Sequence, residues 1–138
     1  MGALRFLLVT GRKLGTQTMP QLPDAWGQRA GVAGPDGTWL AWRLAGANNR
    51  ELGRSAQIFP DLTACADSID ELRGMVDNLV PIVAMDYVTR GWGWRLDMDG
   101  HTVAVSGRTY QRERECRHNL AQFLNAVPMA ANPQDVRT

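Results

Sequence analysis

An α+β fold, with two helices packed on one shared antiparallel sheet and pseudo-two-fold symmetry, is what this sequence predicts. Three observations predict it. The tripeptide Trp42-Arg43-Leu44 recurs as Trp94-Arg95-Leu96. Ser55, Phe59 and Cys65 are matched, at one common offset, by Ser106, Tyr110 and Cys116. In each copy an alternating apolar stretch precedes one with helical apolar spacing. Rare residue types that stay in register with the apolar pattern mark an internal repeat, here a strand–hairpin–helix unit used twice in tandem.

Residues 4–10 are apolar enough to read as a strand. Residues 11–37 hold Pro20, Pro23, Pro35 and several glycines, and read as a loop. Residues 1–37 are thus an N-terminal strand plus a Gly/Pro-rich loop extending the same domain. The first repeat occupies 38–80. Leu40, Trp42 and Leu44 alternate with Trp39, Ala41 and Arg43, the period of a half-buried strand. Asn48-Asn49 tolerates positive φ and marks a tight turn into a return strand at 51–55. Leu62, Cys65, Ile69, Leu72 and Val76 then line one face of a helix. Asp61 is placed to cap that helix, and Pro81 to stop it.

The second repeat occupies 81–128. Residues 82–89 read as a further strand, and Trp92, Trp94 and Leu96 repeat the earlier strand face. Asp99-Gly100 marks the turn, with a return strand at 102–106. Glu113, Cys116, Leu120, Phe123 and Val127 follow the helical spacing, and Pro128 ends it. Residues 129–138 read as a loose tail.

The net charge is +1, so no global field drives binding to nucleic acid or an acidic membrane. Basic charge is carried by fourteen arginines and a single lysine, Lys13. The apolar run Phe6-Leu7-Leu8-Val9 is far too short to span a bilayer, so a soluble cytoplasmic protein without membrane association is expected. Two cysteines are too few for a secreted disulfide framework, and their paired helix positions leave buried free thiols or one bridge between the helices.

The run Trp42-Arg43-Leu44-Ala45-Gly46-Ala47-Asn48-Asn49, then Leu52-Gly53-Arg54-Ser55, then Phe59 before a helix, resembles the YegP-like family. Trp94-Arg95-Leu96, Asp99-Gly100, Ser106 and Tyr110 carry the same resemblance in the second copy. It covers residues 38–128 and implies small bacterial proteins in which two units share one antiparallel sheet and exchange helices. It implies no activity.

Chemical motifs are sparse. Gly11-Arg12-Lys13-Leu14-Gly15-Thr16 follows a strand but lacks the Lys directly before the hydroxyl residue that a phosphate loop needs. Asp97-Met98-Asp99-Gly100 puts its glycine too early for a calcium loop. Cys116 and His118 are two apart on a helix and point to different faces, against a zinc site. No catalytic triad pattern, metal site or cofactor motif emerges. Ser55 and Ser106 occur twice, as scaffold hydroxyls do.

The distinctive surface feature is basic: Arg108, Arg112, Arg114 and Arg117, with His118 and Tyr110 nearby. These groups suit phosphate contact and base stacking. Glu113 and Glu115 interrupt them, which suits a salt-bridged helix start. The first helix is acidic instead, through Asp61, Asp67, Asp70, Glu71 and Asp77. The sequence therefore reads as a non-enzymatic binding or regulatory module with a protein partner or a second copy of itself. Nucleic-acid binding through Arg108, Tyr110, Arg112, Arg114 and Arg117 is the alternative, and an enzyme with a scattered site is the third reading.

Overall fold

The computed structural model describes residues 3–12 and 29–133. Along the chain come β1 (Arg5–Arg12), the short β2 (Ala30–Gly31), β3 (Thr38–Ala45), β4 (Glu51–Ser55) and the short β5 (Gln57–Ile58). Helix α1 (Leu62–Gly74) follows, then β6 (Val80–Met85), β7 (Trp92–Met98), β8 (His101–Val105) and α2 (Glu113–Ala126). Six strands form one antiparallel sheet in the order β1-β3-β4-β8-β7-β6, while β2 and β5 pair parallel beside it. At the centre β4 meets β8, with Arg54 opposite Val105 and Ser55 opposite Ala104. The fold class is the predicted α+β arrangement.

Alternation along β3 and β7 sends Trp42, Leu44, Trp94 and Leu96 to the helix-covered face, where all four are buried. Phe123 of α2 joins the two indoles, with ring centroids 6.3 Å from Trp42 and 4.8 Å from Trp94. Gly53 on β4 makes room for it: a Cβ there would lie 2.6 Å from the Phe123 ring and 2.7 Å from the Trp94 ring. Cys65, Ile69 and Leu72 of α1 and Cys116, Leu120 and Phe123 of α2 form the buried helix faces, as the spacing predicts. Helix α1 lies chiefly over β3, and α2 chiefly over β7, reaching β4 and β6. Helix α2 thus packs on strands of both halves, and its Phe123 meets Trp42 as well as Trp94.

The same contacts recur at the matched positions. The Trp42 backbone N–H donates to Ser55 Oγ at 3.3 Å, and that of Trp94 to Ser106 Oγ at 3.2 Å. Leu40 bridges to Phe59, and Trp92 to Tyr110. Both tight turns use positive φ, at Asn48 and Asn49 in one and at Asp99 and Gly100 in the other.

Four boundaries differ from the sequence reading. Helix α1 ends at Gly74, so Val76 falls in a 3-10 turn (Val76–Asn78) and Pro81 stops nothing. Pro81 lies inside β6, an edge strand that can spare one N–H. That strand ends at Met85 rather than running to residue 89. The start of the expected loose tail is tied down: Ala131 accepts from Phe6 N–H and donates to Leu4, both at 3.0 Å. The Arg73 guanidinium binds the Val127 and Ala130 carbonyls and the Asn132 side chain, because a chain leaving α2 meets the open side of β1 there. The loop expected over 11–37 begins as the end of β1 and closes with β2 and a turn at Pro35-Asp36. Its central part, with Lys13 to Thr16 of the considered phosphate loop, lies outside the described residues.

Candidate functional site

The basic residues converge on one open cleft of about 890 Å³. Its floor is set by backbone pairing. Tyr110 and Trp92 exchange two hydrogen bonds of 2.7 Å, which fixes the segment between β8 and α2 against the sheet. Arg108 leaves this segment and lays its guanidinium over the Tyr110 ring, 4.9 Å from the centroid, a cation–π contact. Burial is the main cause that raises the Tyr110 hydroxyl pKa, with Arg108 opposing it.

Helix α2 supplies one wall. Arg112 is its N-cap residue and donates its backbone N–H to Glu115 Oε1 at 3.3 Å. Cys116 and Leu120 turn into the core, which leaves Arg114, Arg117 and His118 exposed on the cleft side. Arg117 pairs with Glu113 at 2.6 Å. No ion pair engages Arg50, Arg108, Arg112 or Arg114 among the described residues. The expected salt-bridged helix start thus holds for one arginine.

Arg50 is the lining arginine that sequence reasoning missed. It follows the Asn48-Asn49 turn between β3 and β4, where its carbonyl accepts from Gly46 N–H at 2.8 Å. Pairing of β4 with β8 brings that turn alongside the start of α2. The only available signal was the turn itself, since nothing local in the sequence predicts which helix a hairpin tip will face. The structure places all five candidates, Arg108, Tyr110, Arg112, Arg114 and Arg117, at this one cleft.

The other motifs have structural employment. Asp97 accepts from Thr102 Oγ1 at 2.8 Å and pairs with Arg95 at 3.4 Å, within an ordinary hairpin. No group of three or more His, Cys, Asp or Glu side chains could hold a metal among the described residues. Cys65 and Cys116 are free and buried, and desolvation pushes each thiol up to about 11. Ser55 and Ser106 are fully buried and serve the indole strands. No helix among the described residues is long and apolar enough to cross a membrane.

Against known proteins, the chain is similar to the solution NMR structure of yegP from E. coli, a protein of unknown function. The TM-score is 0.58 at 12% sequence identity, over 88% of this chain and 97% of that chain. The fold is YegP-like. No family model and no curated protein matches the sequence. The YegP-like fold itself brings no activity, so the cleft must be read on its own chemistry.

Proposed function

We propose that this chain is a non-enzymatic binding module whose arginine-lined cleft takes the phosphate backbone of a short single-stranded nucleic acid. One observation carries the reading: five arginines from two separate parts of the chain, Arg50, Arg108, Arg112, Arg114 and Arg117, line the same open cleft. Arg117 already pairs with Glu113 and Glu115 also lines the cleft, so Arg50, Arg108, Arg112 and Arg114 are the charges that a ligand would neutralise, offsetting the cost of gathering them. Guanidinium groups suit phosphate oxygens because they present paired donors in one plane. The Arg108–Tyr110 stack adds a flat surface against which a base can lie. Residues 38–80 and 81–128 are read as tandem copies, with the ligand held between the first hairpin tip and the second helix. A cytoplasmic site of action follows from such a ligand.

The test is a fluorescence anisotropy titration with labelled RNA and DNA strands of about 12 nucleotides. Affinity in the micromolar range should fall from about 50 to 200 mM salt, with a log–log slope near −0.7 per phosphate neutralised. Changing Arg112, Arg114 and Arg117 together to Glu should abolish binding while the protein stays folded, since acidic side chains suit a helix start. No binding at low salt, or binding that survives the triple change, would overturn the proposal.

A further inference from the structure

The six-stranded sheet is finished differently at its two edges. Only the start of the outer side of β1 is occupied, by Ala131 through the bonds with Leu4 and Phe6, and the rest of β1 pairs with β3 alone among the described residues. The outer side of β6 pairs with nothing among the described residues. Apolar side chains gather there: Val80 is 56% exposed, Met85 39%, and Tyr87 and Val88 in the following turn 90% each. An open edge beside exposed apolar groups is a template for another strand.

The register fixes which backbone groups face outward. β6 and β7 pair without a shift from Val80 opposite Asp97 to Met85 opposite Trp92. Just beyond, Asp86 N–H donates to the Gly91 carbonyl at 2.8 Å. Antiparallel bonding alternates, so Ala84, Ile82 and Val80 bond to β7, while Met85, Val83 and Pro81 turn their backbone groups outward. Pro81 has a carbonyl to offer but no N–H.

We propose that β6 pairs antiparallel with β6 of a second copy about a two-fold axis at Val83, joining the two sheets into one. In that register the two Val83 residues exchange both of their hydrogen bonds. Each Met85 N–H meets the Pro81 carbonyl of the other copy. The N–H that Pro81 lacks leaves only one Met85 carbonyl per copy to solvent. Centring the pair on Pro81 removes both central bonds, and centring it on Met85 runs the partner strand into the turn after β6. Charge favours a second copy over an unrelated strand. Exposed Asp77 precedes β6 and exposed Arg90 follows it, so antiparallel pairing carries each Asp77 toward the other copy's Arg90.

Sedimentation velocity on the full chain tests this. A concentration-dependent dimer is expected at tens of micromolar, roughly the range for a modest symmetric interface. Val83→Pro removes the central outward N–H and should leave a monomer. Because Val83 also touches the core, the exposed Arg90→Asp change is the second variant. It should weaken the dimer about tenfold, each change counting twice across the axis, and Asp77→Arg in the same chain should restore it. A monomer at every concentration overturns the proposal, as does a dimer indifferent to the Arg90 and Asp77 changes.

Discussion

Trp42 and Trp94 each spend their polar group as well as their area. The Trp42 ring N–H donates to Ser68 on α1 at 3.1 Å, and that of Trp94 to Asn119 on α2. Truncating either to Ala removes the ring contact with Phe123, and at Trp94 it also strands the buried Asn119 side chain, so a loss of ~3–5 kcal/mol is expected from urea denaturation. Burial of both indoles was legible from period-two alternation, but their helix partners were not, because those depend on how each helix crosses the sheet. The cysteines give a pH test. Burial raises each thiol from 9.0 to about 11, so the folded chain resists an ionisation that the unfolded chain undergoes. The stability held by the neutral thiols is fully present below pH 9.0 and lost as pH rises through about 11. Arg29, whose pKa burial lowers to about 10, interacts electrostatically with Cys65 but not with Cys116, so comparing wild type with a Cys116→Ala variant over that window isolates one thiol from it. The wild type should lose stability more steeply, and both native thiols should label slowly at neutral pH.

Each helix begins and ends on a local device. Asp61 accepts from Ala64 N–H at 2.8 Å, so Asp61→Ala should lower stability by about 1 kcal/mol, read from the shift of the denaturation midpoint. Capping and helix faces were readable because both depend on neighbours within one or two turns. Pro81 was misread because proline ends helices and also suits edge strands, and only the sheet order separates the two uses. Gly53 shows what residue patterns hide. Its role is the approach of Phe123 from a distant helix, and Gly53→Ala should cost about 1–3 kcal/mol by overpacking that contact. The tie between Ala131 and β1 was equally invisible, since it joins the two ends of the described chain.

Across the whole molecule, a net charge of +1 hides a strong local asymmetry. Charges act over roughly 8–10 Å at physiological salt, so a cleft with several arginines presents its own field whatever the distant acidic residues of α1 contribute. Near-neutrality therefore argued against nucleic acid in the sequence more strongly than the folded arrangement does. The second-helix part of the cleft was legible because its residues are neighbours in the chain. Arg50 was not, because the pairing of β4 with β8 brings it there. The most direct test of the cleft is a two-dimensional amide NMR titration with an unlabelled single strand of about 12 nucleotides at low salt. The account predicts that shift changes concentrate at Arg50, Thr109, Tyr110, Arg114 and His118, and fade as salt is raised. Shift changes centred elsewhere, or none at saturating strand, would contradict it.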